Sequence, residues 1–220
     1  MIKFGIKSTS PNCKTVKILS DKLKINSFCQ ESGIPVPKIY NYEDIVEDSY
    51  YFVKPILGYG SKGAQVMMGK RILEEKSTNK NLYIFQEVCN KPEITVEVFT
   101  FEKRYSFVIR ERIETKAGVS VKARFIPDDY EIRHYIDILQ QKIDFPIASC
   151  IQFMKCNNRW ALTDFNLRMG AGTAMSSAIG WDLTSALLSA LLGKYDPFKY
   201  LNEPSSEKIV ARIYQEIVMK

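Results

Sequence analysis

Arg159–Thr173, RWALTDFNLRMGAGT, decides the reading of this 220-residue chain. Trp160, Ala161 and Leu162 open it as a strand. Asp164, Asn166 and Arg168 follow at a spacing of two, with Thr163, Phe165 and Leu167 in the alternate places. Successive side chains of a strand point to opposite faces. A carboxylate, an amide and a guanidinium therefore project together, backed by an apolar face. Gly170-Ala171-Gly172 then turns the chain. Asp with Asn offers hard oxygen ligands suited to Mg²⁺, and an arginine beside them suits a phosphate. A half-exposed strand with a solvated polar face would carry the same pattern, so the neighbouring stretches decide.

Upstream, Cys150–Lys155 reads as a strand and Asn157-Asn158 as a tight turn, which makes Arg159–Arg168 the return strand of a hairpin. Counting back from the turn brings Gln152 to within about one residue of Asp164. One bulge or a three-residue loop would place Gln152, Asp164 and Asn166 on one face. A glutamine between Ile151 and Phe153 needs a partner if buried. A shared metal ion is one answer and a plain hydrogen bond the other.

Tyr50–Lys54 is β-branched and aromatic, a strand signal. Pro55 follows, then Gly58-Tyr59-Gly60-Ser61-Lys62-Gly63 and a second strand at Ala64–Met68. The loop contains GxGxxG, but a dinucleotide site needs a helix directly after the glycines. The Lys-Ser/Thr ending of a P-loop is also missing. What remains is a glycine-rich hairpin tip beyond Lys54. It could fold over phosphates through its N–H groups, with Lys54 as the fixed cation, or be a surface hairpin with a solvated lysine. Glu87 and Glu93 flank Val88–Pro92 after a strand at Leu82–Val88, where a carboxylate can accept both hydroxyls of a ribose. Arg110 and Arg112 share one strand face, a ready anion site. Surface charge would account for any one of these four alone.

Other elements follow from periodicity and stop signals. Helices are expected at Ser20–Ser32, with Ser20 as cap, Leu23, Phe28 and Cys29 inward, and Gly33 as stop. Further helices are expected at Arg71–Lys76, Asp128–Lys142 and Trp181–Leu192, with a terminal amphipathic helix at Ser205–Met219. Ile2–Ile6 reads as a short strand, followed by structureless segments up to Ser20. Ile94–Phe101 and Arg104–Ile113 read as an antiparallel pair turning at Glu102-Lys103.

The formal charge of +6 is spread without a basic block, which argues against nucleic acid and leaves small anions compatible. Five scattered cysteines and a single histidine make a zinc site or a disulfide framework unexpected. No stretch approaches a membrane span and the N-terminus has no signal-peptide pattern. The expectation is a reduced, cytoplasmic protein.

Taken in order, these pieces resemble the ATP-grasp family, and most the ATP-binding domains of the carbamoyl-phosphate synthase large chain and related carboxylate–amine ligases. The pieces are Ser20-Asp21-Lys22 before Gly33-Ile34-Pro35-Val36-Pro37, Tyr51–Pro55 with its glycine loop, Phe85–Val88 with Pro92–Glu97, Gln152-Phe153, and Asp164–Arg168. The resemblance implies an α+β ATP-grasp fold in which two subdomains with antiparallel sheets grip ATP. It would occupy residues 20–200, with a smaller lid at about 36–87 and a larger metal-binding part at 88–200. Residues 1–19 would then be a remnant or linker, and 201–220 the terminal helix. It implies that Lys22 and Lys54 hold the phosphates under the loop of Gly58, Gly60, Ser61 and Gly63. Gln86, Glu87, Val88 and Cys89 would bond adenine through their backbone, and Glu93 would bond the ribose. Gln152, Asp164 and Asn166 would ligate Mg²⁺, or Mn²⁺ in its place, and Arg168 would hold phosphate or acyl phosphate. Arg110, Arg112 and Ala117–Ser120 would lie by the acceptor.

Two departures stand out. Asp164 replaces the usual glutamate of the metal strand, and Leu167 the common proline. The small α/β domain that generally precedes the lysine helix is also missing: either a separate polypeptide supplies it as a partner, or the chain is a fragment or a reduced form. The implied activity is an ATP- and Mg-dependent ligase joining a small-molecule carboxylate to an amine. The alternative is a non-catalytic or split-subunit nucleotide-binding module.

Overall fold

The computed structural model describes residues 9–56, 63–75, 77–116 and 118–213. The strand expected at Ile2–Ile6 lies outside them. The segment before Ser20 is not structureless: α1 (Cys13–Leu19) starts where Asn12 Oδ1 accepts from Thr15 N–H at 2.9 Å. The second helix, α2 (Lys22–Glu31), is capped by Asp21 rather than Ser20, its Oδ1 accepting from the N–H groups of Leu23 and Lys24. Cys29 is buried as expected, whereas Leu23 faces solvent. Gly33 ends the helix at φ +79°, a conformation that favours glycine.

A four-stranded antiparallel sheet comes next, in the order β1-β4-β2-β3: β1 (Ile39–Tyr40), β2 (Tyr50–Pro55), β3 (Gln65–Met68) and β4 (Tyr83–Gln86). Helix α3 (Gly69–Glu75) covers one face, and Ile45, Tyr51, Val53, Met67, Ile72 and Phe85 form its core. Lys54 and Gln86 belong to the opposite face, because strand alternation sets them against Val53 and Phe85.

The larger sheet has six antiparallel strands in the order β10-β7-β6-β5-β8-β9. They are β5 (Asn90–Phe101), β6 (Arg104–Lys116), β7 (Val119–Ile126), β8 (Ala148–Cys156), β9 (Arg159–Asn166) and β10 (Lys208–Ala211). Ile94, Val96 and Val98 of β5 bury against Ile132, Ile136 and Leu139 of α4 (Tyr130–Lys142) and against Ile25 and Cys29 of α2. Phe99 and Val108 bury on the other face, with Met175 of α5 (Thr173–Ala178) and Leu183, Ala186 and Ala190 of α6 (Leu183–Leu192). At Val98-Phe99 the central strand is thus covered by apolar side chains on both faces, whereas Thr95 and Glu97 put buried polar groups on one face.

Two tight turns match expectation, with positive φ at Glu102-Lys103 and Asn157-Asn158. Gly193 ends α6 in the left-handed region. Three further departures concern elements. β7 and α5 were not anticipated. The terminal helix is contradicted at residues 208–211, which pair with β7 as an edge strand; residues 214–220 lie outside the described ones. Ile209 is 61% exposed there, so the i, i+4 isoleucine spacing does not mark a buried helical face. Finally, Cys89 and Cys156 form a disulfide, against the expectation of a reduced chain.

Candidate functional site

Sheet register assembles the site. Gln152 on β8 pairs with Asp164 on β9, and the ladder slips there, so that Phe153 faces Leu162. Thr163 is the extra residue. This bulge keeps both Leu162 and Phe165 in the apolar core while Asp164 stays with Gln152 on the polar face. Across the sheet, Gln152 pairs with Thr95 and Thr95 with Arg110; one row on, Asn166 pairs with Cys150 and Cys150 with Glu97. Gln152, Asp164 and Asn166 therefore share one face, as the hairpin count implied. Asn166 Nδ2 donates to Asp164 Oδ2 at 2.8 Å, and Gln152 Nε2 donates to Glu93 Oε1 at 3.4 Å.

Two lysines stand opposite. Lys22 Nζ donates to the Pro55 carbonyl at 2.7 Å, linking α2 to the end of β2. Burial pushes the Lys54 ammonium down to about 8; Asp164 pulls it up and Lys22 pulls it down. Burial also lowers Lys22, against the same Asp164 charge. Lys22, Lys54, Gln86, Thr163, Asp164 and Phe165 surround a cavity of about 30 Å³ between the two sheets, room for about one water. Gly63 has φ +75°. Gly58, Gly60 and Ser61 lie outside the described residues.

Gln86 ends β4 and is buried. Glu87 N–H donates to the Lys38 carbonyl at 2.9 Å, and its carboxylate accepts from Lys38 N–H and from Asn157 Nδ2. Among the described residues the N–H and C=O of Val88 make no backbone hydrogen bond, so both can meet a ligand edge. Cys89 is joined to Cys156. Glu93 is paired with Arg112 Nη1, whose Nη2 donates to the Gly118 carbonyl at 2.7 Å. Arg168 is exposed and donates to the Met169 carbonyl at 2.9 Å.

Arg110 departs from expectation. Only 3% of it is exposed, and it pairs with the fully buried Glu97 at 2.9 Å. Ser176 Oγ donates to the other Glu97 oxygen at 2.8 Å. The backbone of Gly172 lies so close to the guanidinium that an added Cβ would sit 2.1 Å from its Cζ. Arg110 is therefore enclosed between Glu97 and the glycine turn. One residue was overlooked: Arg212, just past β10, donates through Nη2 to the Ala171 carbonyl. Arg168 and Arg212 thus reach the same turn from opposite ends of the sheet. The strand that delivers Arg212 carries a helical isoleucine spacing, which hides this residue from the sequence.

The donor set of Gln152, Asp164 and Asn166 holds a single carboxylate. Among the described residues no cluster of three or more His, Cys, Asp or Glu could hold a metal. Mg²⁺ commonly takes one or two carboxylates and completes its shell from waters and substrate phosphates. The set fits a metal brought in with a nucleotide. No described helix is long and apolar enough to cross a membrane.

Two antiparallel sheets bordering a cleft, with Lys54 on the smaller sheet, Lys22 reaching it from α2 and oxygen donors on the larger sheet, make the arrangement of the ATP-grasp fold. A sequence model of the ATP-grasp domain matches residues 19–129, and the chain belongs to the ATP-grasp family. Solved structures agree on the fold. Carboxyaminoimidazole ribonucleotide synthase of Aspergillus clavatus, complexed with ATP, superposes with TM-score 0.71 at 13% identity, over 91% of this chain and 58% of that one. Biotin carboxylase of Campylobacter jejuni, in a β-γ-ATP complex, gives 0.71 at 17% identity, over 96% and 54%. The biotin carboxylase domain of 2-oxoglutarate carboxylase from Hydrogenobacter thermophilus, with MgADP, ADP and bicarbonate, gives 0.67 at 12%, over 88% and 49%. The chain spans about half the length of these relatives. No curated protein matches it.

Proposed function

We propose that this chain binds MgATP between its two sheets and transfers the γ-phosphoryl group to a small carboxylate for attack by an amine. The observation that carries this reading is the Gln152–Asp164 register pair with Asn166 beside it, facing Lys22 and Lys54 across the cleft. In this assignment Lys22 and Lys54 neutralise the phosphates under the Gly58–Gly63 loop. The backbone of Gln86–Cys89 takes the adenine edge, and Glu93 takes the ribose. Gln152, Asp164 and Asn166 hold Mg²⁺, with Mn²⁺ as a substitute. The metal supplies charge neutralisation at the phosphates.

A carboxylate oxygen attacks the γ-phosphorus, the bond to the bridging oxygen breaks, and ADP leaves. The amine then attacks the acyl carbon and phosphate departs. Arg168 and Arg112 stabilise charge on the transferring group, and Arg212 adds a cation at the glycine turn. No protein nucleophile is required; positioning and electrostatics supply the rate. The bicarbonate in the Hydrogenobacter structure supports a small acid as acceptor.

The test is ADP release with MgATP and a panel of small acids, bicarbonate first, each with and without ammonia or an amine. The expected result is release that needs one acid and yields an amide or carbamate. A second reading, a nucleotide-binding module without turnover of its own, rests on the single carboxylate among Gln152, Asp164 and Asn166. MgATP binding with no ADP release for any acid would support it.

A further inference from the structure

We propose that Cys89 and Cys156 form a reversible dithiol–disulfide site that controls how far the nucleotide cleft opens. The proposal rests on the reading of this cleft as a nucleotide site. Cys89 lies in the crossing between the two sheets, directly after Glu87 and Val88 and directly before β5, and Cys156 ends β8 at the tip of the β8–β9 hairpin. Their Cα atoms are 4.9 Å apart, and the bond closes 67 residues of sequence. The same hairpin carries Gln152 and Asp164.

The crossing has few other restraints. After the Asn90–Lys155 pair, the β5–β8 ladder shifts and resumes only at Glu93–Met154. Asn157 Nδ2 holds the Glu87 carboxylate at 3.1 Å, at an exposed position. With the disulfide in place, only Val88 lies between the Glu87–Lys38 backbone bond and the crosslinked Cys89. Without it, the hinge extends through Cys89 and, on fraying of the isolated Asn90–Lys155 pair, through the ladder break to residue 92. Lys54 on one sheet and Asp164 on the other border a cavity of about 30 Å³; widening it moves the sheets about the crossing, and the crosslink resists that movement.

The chemistry balances as an exchange with a low-molecular-weight disulfide such as oxidised glutathione. Cys89, half-buried beside the almost covered Cys156, is the accessible thiol. Its thiolate attacks the disulfide and releases one glutathione thiolate. The Cys156 thiolate then displaces the second glutathione from Cys89. The two protons lost by the protein end on the two glutathiones, and a reducing dithiol reverses the exchange.

The full chain, oxidised with glutathione disulfide and separately reduced with dithiothreitol, should be compared by MgATP titration and by amide hydrogen exchange over residues 83–93. The oxidised chain should bind MgATP at least tenfold more weakly and exchange more slowly at residues 88–92. Cys156→Ser cannot close the crosslink and stops at the Cys89–glutathione mixed disulfide; its exchange at residues 88–92 should stay as fast as in the reduced wild type under both conditions. Equal exchange in the two states would overturn the switch whatever the nucleotide data show. Equal affinity, with binding present in both states, would also overturn it. Slower exchange in the oxidised chain with no MgATP binding in either state would uphold the hinge restraint and refute the nucleotide reading instead.

Discussion

Gln152 on β8 stands directly across from Asp164 on β9, and the ladder slips by one residue immediately beyond them. The slip lets the core keep Leu162 and Phe165 while the polar face keeps Asp164 and Asn166. The candidate metal set is therefore built by a bulge, and its side chains can be changed at little cost to packing.

Asp164 is exposed and Asn166 only partly buried. Asp164→Ala and Asn166→Ala should each weaken Mg²⁺-dependent ATP binding by roughly 100-fold or more, since even outer-shell changes at metal sites cost about 10–100-fold. Stability should move by less than about 1 kcal/mol. Titration with MgATP and urea denaturation of both variants check this, and wild-type affinity in both would remove the metal assignment.

Lys54 makes the cleft pH-dependent. Its ammonium sits near 8 in the folded chain against an ordinary value of 10.5. Between those values the unfolded chain holds more protons, so this lysine's burial penalty fades and stability rises as pH goes from 8 to 10.5. Phosphates beside it favour the charged form, so nucleotide binding takes up a proton above pH 8. MgATP affinity should fall by up to about tenfold per pH unit between roughly pH 8 and 10. Calorimetry at pH 8.5 in buffers of different ionisation enthalpy should register proton uptake, and Lys54→Met should abolish it.

Glu97 and Arg110 are a buried ion pair, and Arg110 Nε has no partner among the described residues. Removing one member leaves an uncompensated buried charge. Glu97→Met or Arg110→Met alone should cost about 3–5 kcal/mol in urea denaturation, and the double variant much less than the sum. An additive double variant would mean that the two side chains do not interact.

Two glycines separate steric from conformational cost. Gly172→Ala would drive a Cβ to 2.1 Å from the Arg110 guanidinium and should destabilise strongly. Gly33→Ala meets nothing within 4 Å and pays only for φ +79°, about 1–2 kcal/mol. Thermal unfolding of the pair should rank them in that order.

Much of this was legible in the sequence because hairpins carry local signals. Asn157-Asn158 and Glu102-Lys103 mark turns, and alternation around Asp164 and Asn166 marks a face. Cys29, expected inward, is buried. What escaped depends on distant partners. Lys208–Ala211 is a strand only because β7 offers an edge, so the i, i+4 isoleucines misled and Arg212 went unseen. Arg110 looked like a ligand-binding arginine, but Glu97 and Gly172 enclose it. Cys89 and Cys156 are 67 residues apart, and no local spacing could pair them.

The most direct measurement is calorimetric titration of the reduced chain with ATP, with and without Mg²⁺. Saturable binding that requires Mg²⁺ is the predicted result. A folded chain that binds no ATP under either condition, or binds it equally without metal, would contradict a metal-bearing nucleotide site built on Gln152, Asp164 and Asn166.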